Sequence, residues 1–94
     1  MNKVETLEVL DRIQYALEEE ISYAAITDTE DLYHEEEDCV IRAFIFSQGE
    51  RQETIVIGAT GHIYHHSIPT KKRISGRLIR DVCSTLFMML DALL

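Results

Sequence analysis

Between residues 39 and 68, three runs rich in β-branched and aromatic residues are separated by two short glycine-bearing stretches. This layout constrains the fold more than any other feature of the chain. In residues 39–46, Cys39, Ile41, Ala43 and Ile45 share one phase, and Val40, Arg42, Phe44 and Phe46 share the other. Successive strand side chains point to opposite faces, and both phases here are largely apolar, as in a strand that is central or covered on both sides. Residues 52–58 centre on Ile55-Val56-Ile57, and residues 62–68 form the third run. Ser47-Gln48-Gly49-Glu50 and Ala59-Thr60-Gly61 are short enough to join antiparallel neighbours, so the predicted sheet is a three-stranded meander. Pro69 has no N–H to give to a ladder and ends the third run.

A helical period flanks this region on each side. Leu7, Leu10, Ile13, Leu17, Ile21 and Ala24 recur at steps of three or four, predicting a helix over residues 3–25. Glu5, Glu8, Asp11, Glu18 and Glu19 fall largely off that stripe. The run Glu18-Glu19-Glu20 repels itself slightly, and burial of the stripe is expected to hold the helix regardless. Residues 27–38 read as a solvated connector anchored by Leu32 and Tyr33, with at most a short strand. A last helix is predicted to start near Ser75, whose hydroxyl can cap it. Its stripe is Ile74, Leu78, Val82, Leu86, Met89 and Leu93, widened by Ile79, Phe87, Leu90 and Leu94. The expected fold class is α+β, in the order α-β-β-β-α. Both helices lie on the sheet, and residues 1–94 form one domain.

Charge is the next constraint. Of the net −8, residues 1–38 contribute −11 and residues 39–94 contribute +3. Five of the nine bases fall between Lys71 and Arg80. A net-acidic chain repels a phosphate backbone, so direct nucleic-acid binding is not expected. With 46% apolar residues the chain is no disordered tail. At 94 residues its core is small enough that self-association would add useful stability. The longest apolar run, residues 86–90, is five residues, against about 20 for a membrane span. No charged segment precedes an apolar one near Met1. The expectation is a soluble, cytoplasmic protein without membrane contact. Cys39 and Cys83 sit in apolar surroundings and read as two reduced core cysteines.

The candidate surfaces follow from these patterns. Glu18, Glu19, Asp28, Glu30, Asp31, Glu35, Glu36, Glu37 and Asp38 form the candidate partner-binding surface. Its carboxylates suit a protein partner with a basic face, as in a small regulator or inhibitor that mimics a nucleic acid. Lys71, Lys72, Arg73 and Arg77 form an alternative anion- or nucleotide-binding site. Arg73, Arg77 and Arg80 are spaced to share a helix face, although pairing with the acidic first helix or with a second subunit is favoured over anion capture. The alternation places His62 and His66 with Tyr64 on one side of the third run and His65 on the other. Strand residues four apart are roughly 13 Å apart, too far for one metal ion. No catalytic residue, metal or cofactor is assigned. A last helix apolar nearly all round predicts a homodimer, with Leu86, Phe87, Met89, Leu90 and Leu93 at the interface. The order of elements and the acid balance are similar to those of small secretion-chaperone-like folds and of small acidic phage proteins that inhibit nucleic-acid enzymes. The first of these likenesses implies a further alternative, a chaperone-like dimer that binds another protein.

Overall fold

The computed structural model describes residues 1–68 and 73–93, the last two through the backbone alone. The elements are α1 (Lys3–Glu20), β1 (Ala25–His34), β2 (Cys39–Gln48), β3 (Arg51–Gly58), β4 (Ile63–Ser67) and α2 (Leu78–Leu93). The fold is α+β. Its sheet has four antiparallel strands in the order β1-β2-β3-β4, not the three expected. The added strand is β1, which occupies most of the predicted connector. Ile26, Thr27, Thr29 and Tyr33 favour extended backbone, and strong charge is tolerated because β1 is an edge strand.

α1 starts where the Asn2 side chain accepts the Glu5 N–H at 2.9 Å, satisfying one of the unpaired amides of the first turn. It ends at Glu20, earlier than the stripe suggested, because Ile21 is already extended at φ −105° and ψ 98°. The backbone is thereby free to turn into β1, and Ile21 remains buried. α2 starts at Leu78 rather than Ser75. Ser75 still serves the approach to the helix: its hydroxyl accepts the Arg77 N–H at 3.2 Å, and its carbonyl accepts the Leu78 N–H at 3.2 Å.

The tight turn between β2 and β3 is Gly49–Glu50, since Gln48 pairs with Arg51. Gly49 has φ 61°, the left-handed value that a two-residue hairpin of this kind requires at its first position. Both helices cover one face of the sheet. Leu10, Ile13 and Leu17 of α1, Phe44 and Phe46 of β2, Ile55 and Ile57 of β3, and Leu78, Val82 and Leu86 of α2 form one buried cluster. The other face carries a smaller cluster of Ile41, Ala43 and Val56, with Cys39 and Tyr64 against it. A thickness of 17 Å is that of one sheet and one helix layer. Among the described residues, no helix is long and apolar enough to cross a membrane.

Candidate functional site

The acids form a band along the free edge of the sheet. The turn at Glu35, Glu36, Glu37 and Asp38 lies at one end, and β1 runs from it with Asp31, Glu30 and Asp28. Near the other end of β1 is the last turn of α1, with Glu18, Glu19 and Glu20. All ten side chains are exposed. A ten-residue strand is roughly 33 Å long, which sets the length of the band.

Arg42 joins α1 to β1 beneath this band. It is only 7% exposed on the helix-facing side of β2. Its Nε meets Asp31 Oδ1 at 2.6 Å, and its Nη1 meets Asp11 Oδ1 at 2.7 Å and Gln14 Oε1 at 3.2 Å. The Asp31 hydrogen bond, against an opposing effect of burial, holds the guanidinium above its ordinary pKa. Asp31 is thus committed to an internal pair, whereas Asp28 and Glu30 lie on the opposite side of β1, facing Ile45 and Ala43 across the ladder.

The turn is braced by two phenols. Tyr33 donates to Asp38, which holds φ 48°, a left-handed conformation that aspartate tolerates better than most residues. Tyr64 of β4 donates to Glu37, and this bond, followed by burial and the nearby Cys39, raises the phenol's pKa. His34 and His62 flank the Tyr64 ring at centroid distances of 4.8 and 4.7 Å. A cavity of about 630 Å³ opens beside this end of the edge, between Leu7 of α1, Leu32 and Tyr33 of β1, and Val40 of β2.

The histidines do not alternate as expected. A bulge between Val56 and Ile57 pairs His65 with Val56 and Ile63 with Ile57, leaving Tyr64 as the extra residue. Tyr64 then packs with Ile41 and Val56 on the open face. His66 alone points toward the helices, where its Nε2 lies 2.9 Å from Glu53 Oε2. Glu53 is 1% exposed, and its other oxygen accepts the Ile74 N–H at 3.0 Å. Glu53 and Arg42 are buried charges outside the sequence-based candidate sites. The signal was present: both share the strand phase that carries Phe44, Phe46, Ile55 and Ile57. Among the described residues, no three His, Cys, Asp or Glu side chains converge as metal ligands.

The bases are more dispersed than their spacing implied. Arg73 precedes α2, so helical spacing does not link it to Arg77. Its carbonyl accepts from Arg51 at 3.1 Å. Arg77, just before α2, lies 5.2 Å from the Tyr23 ring centre and pairs at 2.9 Å with Asp81 in the first turn of that helix, rather than with the acids of α1. Tyr23 also donates to Asp81 at 2.6 Å; this bond, ahead of the Arg77 pair, lowers the carboxyl's pKa. Lys71 and Lys72 lie outside the described residues.

On α2, Leu86 is core, whereas Met89 and Leu90 are half-buried. Phe87 and Met88 are 74% and 55% exposed. The side chain of Leu93, and Leu94 as a whole, lie outside the described residues. The expectation of two core cysteines fails. Cys83 is exposed and Cys39 half-buried, because Val82 and Leu86 occupy the inward phase of α2 and turn Cys83 outward. In comparisons with known proteins, no family model, curated protein or solved structure matches this chain.

Proposed function

We propose that this chain is a non-enzymatic protein-binding module, a small acidic regulator or inhibitor whose carboxylate band engages a basic partner. The placement of Glu18, Glu19 and Glu20 carries the reading. These three carboxylates fill the last turn of α1, which has no base. The carbonyl end of a helix favours cations there, and each misplaced charge costs roughly 0.3–1 kcal/mol. Folding alone would not select three adjacent acids at that point, but a cationic groove on another protein would. With the turn acids, and with Asp28 and Glu30 projecting from the opposite side of the same edge strand, they give the groove a long edge to follow, as in mimicry of a phosphate backbone. The unit presenting the band is a pair of copies, a reading supported by the exposed Phe87 and Met88 on α2.

Reversing Glu18, Glu19 and Glu20 to lysine tests this placement. The variant is expected to unfold at a higher temperature than the native chain and to lose its partner in a pull-down from native lysate. The native complex should come apart between about 0.1 and 0.5 M salt, as the Debye length falls from about 10 Å to about 4 Å. A partner retained unchanged at the higher salt, or by the reversed chain, excludes charge recognition.

A further inference from the structure

The outward face of α2 has a self-complementary order. Arg80, Cys83, Ser84, Phe87, Met88 and Asp91 are all exposed. At 100° per residue they lie within one arc of the helix, opposite buried Leu78, Val82 and Leu86. Read in opposite directions about a point midway between Ser84 and Phe87, the same face pairs base with acid and small with large. Arg80 then lies level with Asp91 and Ser84 with Phe87, all close to the middle of the face, while Cys83 and Met88 fall on its two flanks. A two-fold axis makes each of these contacts twice, which is the requirement of an isologous interface. A recess of about 370 Å³ lies beside this face, lined by Gly61, Cys83, Leu86, Leu90 and the chain's own Phe87 and Asp91, and gives the partner's phenyl ring a place to lodge against them.

We propose that two copies pair through antiparallel α2 helices in this register, with Phe87 as the anchor and Arg80–Asp91 pairs at the two ends. The inference rests on the self-association in the function proposed above and adds its geometry. The face from Arg80 to Asp91 is about 17 Å long. The contact is therefore smaller than the roughly 1,200 Å² of a stable standard interface, so the dimer should be reversible, with Kd on the order of 10–100 μM. Each copy carries −8, and the copies repel at low salt. Dimerisation should strengthen from about 0.05 to 0.5 M salt as that repulsion is screened, opposite in sign to the acidic band's hold on a basic partner.

Sedimentation equilibrium over a concentration series tests the pairing. Phe87→Ala is expected to weaken the dimer at least tenfold without changing the secondary structure seen by circular dichroism. Arg80→Asp and Asp91→Arg should each weaken it about threefold or more, and the two together should restore it, since each removes and then rebuilds two exposed pairs. A native chain monomeric at about 1 mM, well above the expected Kd, overturns dimerisation itself. A dimer indifferent to Phe87→Ala overturns α2 as the interface. A dimer that Phe87→Ala breaks but the charge exchange fails to restore overturns the register and leaves the pairing. None of these outcomes depends on the pull-down, so the acidic band stands or falls separately.

Discussion

A carboxylate taken out of water is tolerated only where hydrogen bonds replace its hydration. Glu53 has two such replacements, the His66 ring and the Ile74 amide, and they tie β3 to β4 and to the approach to α2. Glu53→Ala leaves both partners without an acceptor and opens a cavity. It should cost about 2–4 kcal/mol in urea unfolding. Glu53→Gln keeps an amide oxygen for the Ile74 N–H and should cost clearly less; equal losses would show that the Ile74 bond contributes little. At this scale the sequence was half legible. Alternation put Arg42 among Val40, Phe44 and Phe46, so its burial could be read. Asp11, Gln14 and Asp31 could not be read as its partners, because they come from two other elements whose approach is a tertiary fact.

Among the elements, the three apolar strands and both helices followed from periodicity, and β1 did not. Its acids alternate poorly with Ile26, Thr29, Leu32 and Tyr33, which resembles a solvated loop. The strand forms because Leu32 and Tyr33 pair with Ile41 and Val40, while water solvates the outer edge. The bulge in β4 was equally hidden, and with it the true neighbours of Tyr64. That ring lies on Gly58, where an added Cβ would stand 2.6 Å from Tyr64 Cε2. Gly58→Ala must displace the phenol from Glu37, at an expected cost of about 1–3 kcal/mol in thermal unfolding. Combined with Tyr64→Ala, the same glycine change should cost much less than the sum of the two single changes. An additive result would mean that the ring yields without strain.

For the whole molecule, two phenol–carboxylate bonds link distant parts, Tyr23 to Asp81 of α2 and Tyr64 to the β1–β2 turn, and a third, from Tyr33 to Asp38, closes that turn. All three phenols are held above the ordinary value of 10.0, Tyr23 first by burial, Tyr33 and Tyr64 first by their carboxylate partners. A raised pKa in the folded state means stability present in full below pH 10 and lost as pH rises through the folded values. Unfolding midpoints should therefore fall above about pH 10, and absorbance at the phenolate band should show these three ionising late. Loss of stability without late phenolate absorbance would place its cause elsewhere. The strand order has a consequence in time. The sheet runs in chain order, so each strand pairs with its sequence neighbour and every pairing is a hairpin. Short loops close cheaply, and the sheet can zip from any turn. The contact between α1 and α2 joins the two most distant elements and is the costliest to close. Folding should thus proceed on the order of milliseconds, with the meander first and the meeting of the helices as its last cooperative step.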